Sequence, residues 1–94
     1  MKATLVLRRT ETFEDGAALH IVVWLVPAPV PPTGHSFKYR LVYIKEGVRV
    51  VGFDNERGKG DHRHLHGDET AYAFTSIASL LEEFTALVAE ERRG

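Results

Sequence analysis

The sequence predicts an α+β fold, a four-stranded antiparallel sheet of two hairpins with one C-terminal amphipathic helix packed on it. Two turn signals, Asp15-Gly16 and Glu46-Gly47, each lie between segments rich in aromatic and β-branched residues. After residue 75 the apolar residues recur at helical spacing instead. The chain has 94 residues, 44% hydrophobic and 27% charged, which is typical of a single small globular domain over residues 1–94.

The N-terminal hairpin is expected within residues 1–26, with strands over residues 3–13 and 17–26. The core of the second strand, residues 21–26, is apolar on both faces. This pattern predicts a central strand that is covered on both sides. His20 lies in the same strand and is interpreted as a partly buried structural residue.

A proline-rich connector is expected over residues 27–36. Its four prolines fix φ and remove backbone donors, so neither a helix nor an inner strand can continue through it. Because the segment joins two strands of one domain, a stiff connector is favoured over a proline-rich recognition motif.

The second hairpin is expected over residues 37–55, and its turn predicts a register. If Lys45 pairs with Val48, then Tyr39 should pair with Asp54 further along the two strands. Polar side chains therefore gather at the end of the hairpin that is remote from the turn.

A polar loop is expected over residues 56–71, and a loop of this length in so small a domain is commonly functional or disordered. The helix should follow over residues 75–92, with Thr75 or Ser76 as its N-cap. One helix can cover only one face of the sheet. An apolar face of the central strand should therefore be covered by a second chain.

Composition limits the function classes. The chain has no cysteine, which excludes disulfides and thiolate metal sites. It shows no signal peptide or membrane-spanning run, so a cytoplasmic protein is expected. The net charge is −1, yet residues 35–66 carry seven Lys/Arg against four Asp/Glu. A positive patch on an acidic body favours a local anionic ligand, such as RNA, over a non-specific coat on nucleic acid.

The residues of the polar loop and the adjoining strand ends predict proton-transfer chemistry on a phosphodiester. Cleavage of RNA without a metal needs a base that titrates near neutral pH, an acid and cations around the phosphorus. The predicted catalytic residues are Asp54, Asp61, His62 and His64. The predicted phosphate- and RNA-binding residues are Lys38, Tyr39, Arg40, Arg57, Lys59 and Arg63. These side chains are expected to converge on one surface, with the histidines in an exposed loop and Tyr39 as a base-stacking surface.

Three alternatives stay open for these residues. His62 and His64 could ligate a metal, with Asp61 or Asp54 supplying a carboxylate. No cofactor is expected, however, because Arg63 separates the first two histidines and no strong ligand motif is present. The polar segment could also be a solvated loop without chemistry, and Tyr39 could serve packing alone. The residue types do not decide which histidine is the base and which the acid.

Three segments resemble the TumE family, the toxins of two-component (type II) toxin–antitoxin modules: HSFKYRLVYI (35–44), RVVGFDNERGKGDHRH (49–64) and YAFTSIASLLEEF (72–84). The resemblance covers about residues 26–92. It implies a toxin that a cognate antitoxin neutralises, and it carries over no catalytic residues.

The functional hypothesis is therefore a toxin that acts as a metal-independent RNA endonuclease and inhibits translation. The first alternative is a non-catalytic binding protein that docks on RNA, the ribosome or another protein. The second is a metal-dependent nuclease that uses His and Asp ligands. Expected partners are the antitoxin, RNA and a second copy of the chain, and no membrane is expected.

Overall fold

The computed structural model describes residues 2–93. Six antiparallel strands are followed by one helix: β1 Thr4–Thr12, β2 Ala18–Leu25, β3 Phe37–Lys45, β4 Val48–Glu56, β5 Gly60–Leu65, β6 Asp68–Ala71 and α1 Ile77–Arg93. Strands that are consecutive in the chain are neighbours in the sheet, which is a simple six-stranded meander. The α+β class and the C-terminal helix are confirmed. The expected number of four strands is wrong.

The two additional strands come from the segment that was expected to be a polar loop. Residues 60–71 form a third hairpin, in which His66 and Gly67 lie in the turn with φ of 49° and 85°. Two positive φ angles suit the twist of a two-residue hairpin turn. The hairpin escaped prediction because β5 and β6 carry polar side chains on both faces, which hides the alternation that identifies strands.

The register of the β3–β4 hairpin differs from the expected one beyond its first pairs. Lys45 pairs with Val48 as predicted, but an irregularity next to Tyr43 then inserts one extra residue into β4. Arg40, rather than Tyr39, therefore pairs with Asp54. A β-bulge shifts all later pairs by one residue and so exchanges the faces of one strand relative to the other. As a result, Arg40 and Asp54 share one face of the sheet.

Helix α1 covers one face of the sheet, which we call the helix-side face. Ser76 is its N-cap, since Ser76 Oγ accepts a hydrogen bond of 3.0 Å from Ser79 N. Phe84 packs edge-on against Phe53 of β4, with ring centroids 6.3 Å apart. The buried core on this face comprises chiefly Leu19, Ile21, Val23, Tyr39, Leu41, Tyr43, Val51, Phe53, Leu80, Phe84 and Val88. No helix within residues 2–93 is long and apolar enough to cross a membrane.

No helix within residues 2–93 lies over the opposite face of the sheet, which we call the open face. The β2 side chains Val22 and Trp24 lie there and are half-buried, whereas their neighbours Ile21 and Val23 are buried beneath the helix. The central strand is thus covered on one side by the chain itself. Cover of the other side by a second chain remains a prediction.

The proline-rich connector is ordered and folds back along the sheet. Val26 N donates to Ser36 O over 2.8 Å, which closes the base of the connector. Gly58 N, in the turn between β4 and β5, donates to Pro31 O over 2.8 Å. The connector therefore fastens the turn that precedes β5.

The packing of Phe84 predicts a large loss of stability on truncation. Phe84→Ala should lower the free energy of unfolding by about 3–5 kcal/mol, because it leaves a cavity against Phe53. Urea denaturation measures this change. Thr85→Ala, at the exposed neighbouring position, is the matched control and should change stability by less than about 0.5 kcal/mol. Equal stability of the two variants would contradict this packing.

Candidate active site

The pairing of β4 with β5 brings three titratable side chains together on the open face. Asp54 lies directly opposite His62, and Gly52 lies opposite His64. Residues paired across antiparallel strands project from the same face, as do residues two apart in one strand. Asp54, His62 and His64 therefore form one cluster, which we call the Asp-His-His cluster.

His62 is the most enclosed member of this cluster. It is only 4% exposed, and its Nε2 lies 2.5 Å from Asp54 Oδ1. Its Nδ1 lies 3.1 Å from the Gly60 carbonyl oxygen, which can only accept a hydrogen bond. A neutral imidazole has a single N–H, and Nδ1 uses it. The Nε2 lone pair then faces a carboxylate oxygen at 2.5 Å, a contact that a proton or a cation between the two atoms would relieve.

Asp54 Oδ1 nevertheless lacks an aligned hydrogen bond within residues 2–93, although it lies close to His62. Asp54 as a whole is 8% exposed, so solvent offers it little compensation. A buried carboxylate oxygen with unused acceptor capacity is costly in free energy. This oxygen is the point in the cluster at which a further donor or a cation would be stabilised.

His64 occupies a different electrostatic environment. Its Nδ1 lies 3.0 Å from Arg49 Nη2, and because a guanidinium can only donate, Nδ1 must accept. The ring hydrogen therefore resides on Nε2, which lies 3.7 Å from Asp54 Oδ1. Burial of the ring, followed by the charge of Arg49, lowers the pKa of His64 below its ordinary value. His64 is thus neutral at pH 7, the form that can act as a general base.

Gly52 makes room for Arg49 beside His64. A Cβ atom at position 52 would lie 3.0 Å from Arg49 Cδ and 3.6 Å from His64 Cβ. The absence of a side chain lets the arginine lie across the strand and reach the imidazole. Gly52 therefore leaves the space that Arg49 needs to donate to His64.

Glu69 on β6 borders the cluster on its other side. It pairs with His64 across the strands, and its Oε2 lies 3.3 Å from His62 Nε2. Lys59 Nζ lies 3.7 Å from the same carboxylate oxygen. These side chains line an open cavity of about 330 Å³ that gives access to His62.

The predicted cations are divided between the two faces and the turns. Arg40 is exposed and is the cross-strand partner of Asp54, so it lies on the open face. Lys38 lies on the same face, and its Nζ donates to the carbonyl oxygen of Asn55. Arg57 is exposed in the β4–β5 turn, and Arg63 pairs with Phe53 on the helix-side face. The predicted convergence on one surface thus holds for Lys38 and Arg40 but not for Arg63.

Asp61 also lies on the helix-side face, although it borders the same cavity as His62 and Glu69. It accepts hydrogen bonds from Tyr39 Oη at 2.6 Å, His35 Nε2 at 2.8 Å and Thr33 Oγ1 at 3.1 Å. His35 Nδ1 accepts from Phe37 N, so the hydrogen of His35 is on Nε2 and is donated to Asp61. These contacts tie the connector to β3 and β5. The structure therefore gives Asp61 an anchoring position outside the Asp-His-His cluster.

Tyr39 is buried in the same anchor and does not present its ring at the surface. It is 1% exposed, and burial followed by the hydrogen bond to Asp61 raises the pKa of its hydroxyl. The hydroxyl therefore stays protonated at physiological pH. This position fits the packing interpretation of Tyr39 better than base stacking.

A metal could be held by Asp54, His62 and His64, whose ligand atoms lie within 4.8 Å of one another. This set contains Asp54, one of the two carboxylates considered from the sequence, and does not contain Asp61. His62 fits a ligand role, because a hydrogen bond from Nδ1–H to a backbone oxygen orients Nε2 toward a metal. His64 fits poorly, since ligation through Nε2 requires a hydrogen on Nδ1, where Arg49 already donates. A metal would have to displace Arg49.

Sequence reasoning missed the roles of Arg49 and Glu69. Arg49 lies near the turn of the β3–β4 hairpin, remote in sequence from the histidines, and no local pattern reports its approach to His64. Glu69 could have been found, because a two-residue turn at His66-Gly67 places it opposite His64.

Comparison with known families gives one match. The model of the family described as toxin TumE matches residues 2–92, nearly the whole chain. The chain belongs to the TumE toxin family. Comparisons with curated proteins and with solved structures yield no match. Membership of a toxin family implies an antitoxin partner, and it assigns no reaction to the Asp-His-His cluster.

The Asp61 anchor predicts a stability effect that separates structure from chemistry. Asp61→Ala leaves three donors of the anchor without their shared acceptor and should lower the free energy of unfolding by about 2–5 kcal/mol. Urea denaturation checks this. Asp68→Ala, at an exposed carboxylate on β6, is the control and should be nearly silent. If the two variants are equally stable, the anchoring position of Asp61 is wrong.

Proposed function

We propose that this TumE-family toxin is a metal-independent RNA endonuclease that inhibits translation by cleaving RNA on the open face of its sheet. The observation that carries the proposal is the grouping of one carboxylate with two histidines that have different partners: Arg49 donates to His64 Nδ1, whereas His62 Nε2 lies 2.5 Å from Asp54 Oδ1. In the proposal, His64 is the neutral base and the Asp54–His62 pair holds the proton of the acid. An adjacent base and acid are what cleavage by the neighbouring 2′-hydroxyl requires.

In the proposed reaction, His64 Nδ1 removes the proton of the 2′-hydroxyl, and the 2′-oxygen forms a bond to phosphorus. The bond from phosphorus to the 5′-oxygen breaks, and this oxygen takes the proton held by the Asp54–His62 pair. The products are a 2′,3′-cyclic phosphate and a 5′-hydroxyl, with no water consumed. Arg40 and Arg49 offset the negative charge that develops around phosphorus.

Arg49 has two successive roles in this scheme. In the free toxin it donates to His64 Nδ1 and helps to keep that nitrogen unprotonated. A phosphate is a stronger acceptor for a guanidinium than a neutral imidazole is. Substrate binding therefore draws Arg49 away and frees Nδ1 at the moment when the base is needed.

A metal-dependent nuclease is the second candidate, favoured by the closeness of the Asp54, His62 and His64 ligand atoms. Binding without cleavage is the third, since exposed Arg40, Arg57 and Lys59 could bind phosphates in the absence of any reaction. We also propose that the toxin acts in the cytoplasm, where translated RNA is found. The exposed apolar side chains Leu5 and Leu25 are proposed to be covered by the antitoxin or by a second copy.

Cleavage of RNA in the presence of EDTA tests the proposal. The purified toxin should produce 2′,3′-cyclic phosphate ends with EDTA present. His64→Ala should lower kcat by about 100-fold or more, because it removes the base. Asp54→Asn should do likewise, since an amide cannot share the proton. His62→Ala is a weaker test, because His62 is buried and its loss leaves Asp54 unpaired.

Asp68→Ala serves as the control and should cleave as the unaltered toxin does. Activity that disappears with EDTA and returns with a divalent cation would support the metal-dependent candidate instead. Saturable RNA binding without cleavage would support the binding candidate.

The pH dependence of cleavage should respond to Arg49. The arginine lowers the pKa of His64, so Arg49→Gln should raise that pKa toward its ordinary value. Because the base must be unprotonated, the acidic limb of the kcat/KM profile should move to higher pH. Arg57→Gln, which removes an exposed charge in the β4–β5 turn, should leave the limb in place. A limb that stays fixed or moves to lower pH in Arg49→Gln would refute His64 as the base.

A further inference from the structure

A second group of side chains lies on the open face beside the Asp-His-His cluster. Trp24 on β2 is half-buried there and is the cross-strand partner of Lys38. Arg8 on β1 points to the same ring, with Cζ 5.8 Å from the ring centroid. Trp24, Lys38 and Arg40 border a shallow cavity of about 160 Å³. We call Arg8, Trp24, Lys38 and Arg40 the tryptophan patch.

The sheet register aligns this patch with the proposed catalytic residues. One row of cross-strand partners runs Arg8, Val22, Arg40, Asp54 and His62 from β1 to β5. Trp24 is two residues from this row and two strands from Asp54. With strands about 4.8 Å apart and a rise of about 3.4 Å per residue, Trp24 lies about 12 Å from Asp54. An extended single strand covers such a distance in about two nucleotides.

The chemistry of the patch suits an unpaired nucleotide. A half-buried indole is held firmly by the sheet and can stack a base once Arg8, which lies over the ring, moves to a phosphate. Such stacking tolerates any base. Three cations surround it, which matches the phosphates on either side of a stacked base. A base within a duplex is already stacked on its neighbours and cannot reach the ring. The patch therefore selects single strands.

We infer that the open face binds single-stranded RNA, with one base stacked on Trp24 about two nucleotides from the scissile phosphate and with Arg8, Lys38 and Arg40 on the flanking phosphates. This inference rests on the proposed function, because it takes the Asp-His-His cluster as the place of cleavage. It adds the substrate class and the path of the strand.

Trp24 is the only tryptophan of the chain, so its fluorescence reports on the patch directly. The probe is a single-stranded 2′-O-methyl oligonucleotide, which lacks the attacking hydroxyl and cannot be cleaved. Added to the full-length toxin, it should quench the emission in a saturable manner. The same oligonucleotide annealed to its complement should cause little quenching.

Substitutions distinguish the contribution of base stacking to affinity from that of the cations. The affinity is measured by the fluorescence anisotropy of a labelled oligonucleotide. Trp24→Ala should weaken binding by about 5- to 150-fold, whereas Trp24→Phe should retain most of the affinity. Arg40→Ala should flatten the salt dependence by about one phosphate contact. The Phe variant also serves as the control should Trp24→Ala fold poorly. Any one of three results would overturn the inference. Trp24→Ala could bind with unchanged affinity, Trp24→Phe could lose as much affinity as Trp24→Ala, or the single strand and the duplex could quench the emission equally.

Failure of the strand-path inference and failure of the proposed nuclease activity give different results. Cleavage of RNA by the unaltered toxin, together with undiminished binding by Trp24→Ala, would overturn the strand path and leave the nuclease in place. Selective quenching without any cleavage would support single-strand binding at the tryptophan patch and remove the nuclease proposal.

Discussion

The register between β4 and β5 is the constraint on which the site depends. Asn55 is fully buried on the helix-side face and closes the β3–β4 ladder with its side chain: Oδ1 accepts from Tyr39 N at 3.0 Å, and Nδ2 donates to Phe37 O at 2.7 Å. Its partner across the strands is Asp61, the acceptor of the connector anchor. A slip of β5 by one residue would exchange its two faces, separate Asp61 from its donors and turn His62 away from Asp54.

This constraint explains why polar groups on one face determine chemistry on the other. Because Asn55 and Asp61 are fixed toward the helix, Asp54 and His62 must project from the open face as a directly opposed pair. The buried anchor thus contributes to function through position, although none of its members touches the proposed substrate. It also accounts for the ordered connector, whose Thr33 and His35 supply two of the three donors to Asp61.

The electrostatics of the cluster follow from where the sheet places its charges. The sheet lies beneath the two imidazoles, and a different charged group lies nearest to each of them. For His62 that group is a carboxylate, and for His64 it is a guanidinium. Two histidines two residues apart in one strand thereby have different hydrogen-bond partners. In the proposed function, these different surroundings allow one site to supply both an acid and a base.

The parts of the fold that are encoded locally could be predicted from the sequence. The apolar stripe that includes Leu80, Phe84 and Val88 predicts the helix, and the Asp15-Gly16 and Glu46-Gly47 signals predict both hairpin turns. The grouping of His62 with His64 was also accessible, since alternate residues of an extended segment share a face.

What sequence reasoning missed depends on long-range pairing. The bulge in β4 has no local signal, so the partner of Asp54 was displaced by one residue. Strands β5 and β6 lack the apolar alternation that identifies a strand, because polar anchors and site residues occupy both faces of β5. Asp61 and His62 are adjacent in the chain, and only the register shows that they serve opposite sides of the sheet.

We propose that the Asp54–His62 pair holds a proton beside a neutral His64. Long-range 1H–15N correlation of the imidazole rings at pH 7, in the full-length toxin with EDTA present, measures it most directly. The predicted spectrum shows His64 as a neutral ring with its hydrogen on Nε2. It shows His62 with a hydrogen on Nδ1 and with an Nε2 signal that changes in Asp54→Asn. A protonated His64 would contradict this assignment. So would a His62 whose Nδ1 carries no hydrogen and whose signals are unchanged in Asp54→Asn.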